Sequence, residues 1–109
     1  MSQGMSNDAL DRLAATIRAR RMATLEDSYT KRLLADSVKP AKKVGEEAVE
    51  VAIAALAQDK PALIAETADL LYHLLVLLES RDVTLDEVYA ELERRMGATD
   101  LKKRKAASV

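Results

Sequence analysis

PAKKVGEEAVEVAIAALAQDKPALIAETADLLYHLLVLLES, residues 40–80, decides how this chain folds. Ala, Leu and Val dominate it, and no length of it alternates polar and apolar residues with a period of two, so it reads as helix rather than strand. Asp59 followed by Pro61 has the form of an N-cap with a proline in the first turn. That break divides the stretch into two helices, one from Pro40 to Gln58 and one ending near Ser80. Val44, Ala48, Val51, Ala52, Ala55 and Leu56 are expected to form the apolar stripe of the first. The second is apolar almost all round, which in a short chain implies a central place in a bundle or a subunit interface. Gly45 weakens the first helix slightly, and it either permits close approach of a backbone or phosphate or is simply tolerated.

Two acidic pairs interrupt this apolar sequence, Glu47-x-x-Glu50 and Glu66-x-x-Asp69. Residues three apart on a helix lie about 60° apart, so each pair aims two carboxylates in nearly one direction. One such pair ordinarily forms a solvated patch or a salt bridge. The two pairs fall on neighbouring antiparallel helices; Glu66 and Asp69, set in the sector of Leu63, Leu70, Val76 and Leu77, are expected to face inward, and Glu47 and Glu50 to lie at an open edge with Glu46 and Lys43. Like charges held together there need protons, basic partners or a hard cation. An all-oxygen ligand set selects Mg²⁺, with Mn²⁺ possible, over zinc. Di-iron bundles use Glu-x-x-His, and no histidine follows either glutamate at that spacing. His73, the sole histidine, reads as a packed side chain bonded to a carboxylate or backbone, or alternatively as a ligand orienter or proton carrier. Lys39, Lys42 and Lys43 precede the acids, and lysines beside Mg²⁺ suit a polyphosphate. Ordinary surface charge also accounts for Lys42.

Working outward, Leu10, Leu13 and Ile17 share one helical face, giving a helix over about 8–21 capped by Asn7 or Asp8. Arg18, Arg20 and Arg21 at its end suit the helix dipole. A short helix follows from Asp27 to Ala35, capped by Asp27 or Ser28 and anchored by Leu33 and Leu34. Thr84-x-x-Glu87 is a capping box for a last helix over about 85–96, with an inner stripe of Leu85, Val88 and Leu92 and Gly97 as its stop. The fold class is therefore all-α, a bundle of four to five helices. Residues 1–7 are expected to be a flexible N-terminus, 8–97 one domain, and 98–109 a basic frayed tail containing Lys102-Lys103-Arg104-Lys105.

The chain has 109 residues, 49% of them hydrophobic, yet its only aromatics are three tyrosines, so the core must be built from aliphatic side chains. A chain this short gains from oligomerisation. Few aromatic platforms and a net charge of -1 argue against nucleic-acid binding. The absence of cysteine removes disulfides and thiolate sites and is compatible with the cytosol. No secretory signal is evident, and the Leu70–Leu78 block is too short to span a bilayer, so no membrane partner and a cytoplasmic location are expected.

The segments KKVGEEAVEVAIAAL (42–56), AETADLLYHLLVLL (65–78) and DSYTKRLL (27–34) resemble phosphoribosyl-ATP pyrophosphohydrolases, members of the all-α, MazG-like nucleotide pyrophosphohydrolases. The resemblance covers roughly residues 8–97. It implies Mg²⁺-dependent hydrolysis of phosphoribosyl-ATP to phosphoribosyl-AMP and pyrophosphate, the second step of histidine biosynthesis. By that likeness Glu47, Glu50, Glu66 and Asp69 are metal ligands. Glu46 orients water as an acid or base, Lys43 and Lys39 hold phosphate oxygens, and Tyr29 and Thr30 line the substrate site. The family is dimeric, which implies a homodimer and a bundle completed by dimerisation. Two other readings share these residues. One is a MazG-like hydrolase of ordinary or damaged nucleoside triphosphates; the other is a non-catalytic helical module whose acids bind basic partners.

Overall fold

The computed structural model describes residues 2–22 and 28–97. Five helices follow in order: α1 (Ser2–Met22), α2 (Tyr29–Ala35), α3 (Lys39–Ala57), α4 (Lys60–Ser80) and α5 (Leu85–Gly97), with no strand among the described residues. The all-α expectation is borne out. The basic run Lys102–Lys105 and the expected cap Asp27 lie outside the described residues, as does Met1.

Most boundaries follow from local chemistry. Asp59 caps α4, its Oδ1 accepting from the Ala62 backbone N–H at 3.1 Å. Thr84 and Glu87 form the reciprocal box ahead of α5: the Thr84 N–H donates to Glu87 Oε1 at 2.8 Å, and the Glu87 N–H donates to Thr84 Oγ1 at 3.2 Å. Ser28 caps α2 through the Lys31 N–H. Asp36 does what no residue of α3 does for itself, accepting from the Val38 and Lys39 N–H groups at 2.9 and 2.8 Å. Pro40 then needs no partner for a missing donor and packs fully buried in the first turn of α3.

One end differs from expectation, and another falls where expected but closes by a turn that no glycine announces. α1 runs through Asn7 and Asp8 rather than starting at them. α4 ends in a Schellman turn in which Asp82 takes φ 59°, while Val83 N–H reaches Leu78 O at 2.9 Å and Asp82 N–H reaches Glu79 O at 3.1 Å. Glycine usually fills that left-handed position, and aspartate tolerates it better than most residues.

α3 and α4 form an antiparallel hairpin, with α1 and α2 packed on α4. Ile17 of α1, Leu33 of α2, and Leu75 and Val76 of α4 make the buried core, with Leu10, Leu13 and Leu34 against it. α4 is central, as its sequence implied. At 21 residues it is long and apolar enough to cross a bilayer by length and composition alone, a reading that the shorter Leu70–Leu78 block did not suggest. Its acids, its buried His73 and its three helical neighbours fit a bundle core.

The stripe expected for α3 is corrected. Pro40 and Ala54 are buried and Lys43, Val44, Glu47 and Val51 half-buried, whereas Ala48, Ala52, Ala55 and Leu56 are exposed. α3 is apolar on two sides, and the side bearing Lys43 and Glu47 is the one that turns inward. The other side leaves Val49, Ile53 and Leu56 open, and α4 adds Ile64 and Leu71. On α5, Leu85 and Val88 are half-buried, but Leu92 is exposed rather than inside.

Candidate active site

The α3–α4 hairpin brings the two acidic pairs together. Carboxylate oxygens of Glu47, Glu66 and Asp69 all lie within 4.8 Å of one another. Glu50 stands outside that trio but close enough for its charge to act on Glu66. The expected division, with Glu66 and Asp69 inside and Glu47 and Glu50 at an open edge, is not what the structure has. Glu47 and Glu66 are the half-buried members, whereas Glu50 and Asp69 are exposed. The 60° between positions i and i+3 explains this: when one acid of a pair enters the groove between the helices, the other is rotated to its rim.

Burial pushes the Glu66 carboxyl above its ordinary range, and the charges of Glu50, Glu47 and Asp69 push it further in the same direction. Glu47 has Lys43, whose Nζ lies 3.7 Å from Glu47 Oε2 and 3.6 Å from Glu46 Oε1. The Glu47 side chain is only 13% exposed and that of Glu46 50%, so Lys43 bridges the inner site to its outer edge. Burial lowers the Lys43 pKa, but Tyr29, Glu46 and Glu47 outweigh it and hold the ammonium above its usual value.

Glu46 lines an open groove of about 360 Å³ together with Asp36, Val38, Lys39, Lys42 and Lys43. Lys39 therefore joins Lys43 on one surface. Among the described residues Gly45 has nothing within 4 Å of where a Cβ would stand, so no other part of the described chain packs closely on it.

Tyr29 and Thr30 reach the site from α2. Thr30 is buried and its Oγ1 is hydrogen-bonded to the Tyr72 hydroxyl, while Tyr29, 42% exposed, has its hydroxyl 3.2 Å from His73 Nε2. His73 is buried and its Nδ1 lies 2.9 Å from the backbone oxygen of Asp69. The structure has the packed histidine bonded to backbone that was one of its two sequence readings. Sequence reasoning missed its bond to Tyr29, 44 residues away, and the involvement of Tyr72. It also reads the α1 arginines as partners of the helix dipole alone. Instead Glu79, 12% exposed, receives Arg21 Nη1 at 2.7 Å and Arg18 Nε at 3.4 Å, so α1 is pinned to the end of α4.

The donor set suits a hard divalent cation: several carboxylates, no sulfur, no imidazole nitrogen free, and mutual repulsion that a cation relieves. A lysine-lined groove adjoins it, which is the arrangement needed to hold phosphate oxygens next to a metal.

Comparison with known proteins identifies the family. Residues 10–96 match the family described as Phosphoribosyl-ATP pyrophosphohydrolase. A protein of Rhodobacter capsulatus named Phosphoribosyl-ATP pyrophosphatase is 52% identical over 99 residues, 90% of this chain and 96% of that one. Proteins of the same name from Cereibacter sphaeroides, 55% identical over 84% of this chain and 90% of the relative, and from Caulobacter vibrioides, 52% identical over 93% and 94%, agree with it. With a match across that much of its length, the chain belongs to the phosphoribosyl-ATP pyrophosphohydrolase family.

Proposed function

We propose that this chain is a cytoplasmic enzyme that hydrolyses phosphoribosyl-ATP to phosphoribosyl-AMP and pyrophosphate, the second step of histidine biosynthesis, with Mg²⁺ or Mn²⁺ as cofactor. The observation that carries the reading is the convergence of Glu47, Glu66 and Asp69 within 4.8 Å beside Lys43. Those three carboxylates would hold the cation, with Glu50 at the rim completing the oxygen set. When bound, it would neutralise phosphate charge and make water a better nucleophile.

The chain's own residues do the rest. Lys43 and Lys39 hold phosphate oxygens, neutralising charge that grows as the anhydride between the α and β phosphates breaks. Glu46 orients the attacking water and accepts its proton. Tyr29 and Thr30, fixed on α4 by His73 and Tyr72, wall the substrate side of the site. The exposed apolar side made of Val49, Ile53, Leu56, Ile64 and Leu71 supports a homodimer, because one small chain leaves these side chains in water and a second copy would cover them.

Turnover of phosphoribosyl-ATP compared with dATP and dUTP tests the substrate. Preference for phosphoribosyl-ATP is expected, whereas preference for a plain nucleotide would assign the MazG-like alternative.

A further inference from the structure

The chain has three tyrosines, one histidine and no other ring side chain apart from its prolines, yet two of the tyrosines and the histidine meet at one place. Tyr29 and Tyr72 lie nearly parallel, with ring centroids 6.4 Å apart and 22° between their planes. His73 stands edge-on to both, at 6.1 Å from Tyr29 and 4.9 Å from Tyr72. Too few rings to grip a nucleic-acid strand are enough to meet a single base.

This cluster adjoins the acids. Asp69, Tyr72 and His73 occupy positions i, i+3 and i+4 of α4 and so share one face of that helix. The Nδ1 of His73 lies 2.9 Å from the Asp69 carbonyl oxygen, and its Nε2 lies 3.2 Å from the Tyr29 hydroxyl. One imidazole therefore separates Tyr29 from a residue whose carboxylate belongs to the converging trio.

Core packing accounts for His73, which is 5% exposed, but not for Tyr29, which is 42% exposed. The hydroxyl, the part of a tyrosine that ordinarily seeks water, is spent on a buried partner. Ring surface is what Tyr29 has left to offer outward. That ring is also held still: its far end is tied to His73, Tyr72 lies behind it, and the Thr30 to Tyr72 bond fastens the next residue of α2 to α4. A flat apolar face fixed before the ligand arrives loses little entropy on binding.

We propose that Tyr29 is the base-stacking residue of this site: its open ring face takes the adenine of phosphoribosyl-ATP while the phosphates lie against the cation and Lys43. His73 and Tyr72 are positioning residues that hold the ring at that angle. The stack distinguishes a nucleotide from a bare polyphosphate, which the acids and lysines alone would accept equally. This rests on the phosphoribosyl-ATP reading above.

The test is calorimetric binding of the two products, phosphoribosyl-AMP with a base and pyrophosphate without one, in the presence of Mg²⁺, to the unaltered protein, Tyr29→Phe and Tyr29→Gln, with a thermal melt of each. Tyr29→Gln keeps a hydrogen-bonding end for His73 and removes the ring, so phosphoribosyl-AMP should bind roughly 10- to 100-fold more weakly while pyrophosphate binds as before. Tyr29→Phe keeps the ring and removes the hydroxyl, so its loss for phosphoribosyl-AMP should not exceed about threefold. The KM for phosphoribosyl-ATP should follow the same order. Equal losses for both products in Tyr29→Gln, or a larger loss in Tyr29→Phe than in Tyr29→Gln, would mean that Tyr29 only seats α2, and would overturn the proposal while leaving the reaction assigned above intact. Unaltered protein that fails to turn over phosphoribosyl-ATP would overturn that reaction and this inference with it.

Discussion

Glu66→Gln should make the metal-free protein no less stable, or more so, while removing most of its response to Mg²⁺. The Glu66 carboxyl is held above its ordinary pKa by burial and by three neighbouring acids. A carboxyl whose folded-state pKa is raised costs stability at neutral pH, where it must ionise in the folded chain, and that cost disappears as pH falls through the raised value. Glutamine removes the charge at every pH. Glu66 is also one of the three carboxylates that converge among the described residues, so losing it should weaken Mg²⁺ binding by at least about 100-fold, the upper end of what substitutions merely adjacent to metal ligands cause. At Mg²⁺ about 100 times its dissociation constant, the unaltered protein gains about 2.7 kcal/mol of stability, and a 100-fold weaker variant about 0.4 kcal/mol. For a domain of this size those gains translate into shifts of roughly 10–20 °C and 2–3 °C. Melting curves of both proteins at neutral pH, with chelator and with Mg²⁺, measure all four states. A variant that melts well below the unaltered protein without metal, yet keeps its full Mg²⁺ shift, would refute the account of this site.

Two other substitutions separate scaffold from site. Leu33→Ala empties a position that is 1% exposed among Ile17, Leu75 and Val76, so urea denaturation should show a loss of about 2–5 kcal/mol, and less than 1 kcal/mol would mean α2 is not seated on the core as described. Asp59→Ala removes the cap of α4 and should cost about 1 kcal/mol in the same assay, with kcat for phosphoribosyl-ATP unchanged because the cap is more than one helical turn from Glu66.

Helix ends written in short-range chemistry were legible from the residues. Asp59 with Pro61 and Thr84 with Glu87 signal through partners no more than three positions away, and α4 and α5 begin there. The Schellman turn at Asp82 was not legible, because the glycine that usually announces it is missing. Periodicity also told that the two acidic pairs lie on single faces, but not which member of each enters the groove. That depends on how α3 is rolled against α4, and α3, apolar on two sides, carries no decisive stripe to show it. Longer-range bonds were out of reach for a plainer reason: nothing near Tyr29 in sequence points to His73, nor from Arg21 to Glu79. Tyr29 and Thr30 entered through family likeness alone, and the structure supplies the contacts that seat them on α4.

The carboxylate trio at the α3–α4 groove, holding a cation next to Lys43, is what everything above depends on. Its most direct test is pyrophosphate release from phosphoribosyl-ATP by protein stripped of divalent metal, before and after Mg²⁺ is restored, with Glu47→Gln run alongside. Release that is absent when stripped, returns with Mg²⁺, and stays absent in the variant is the expected result. Release that proceeds without divalent metal, or survives in Glu47→Gln at the unaltered rate, would contradict it.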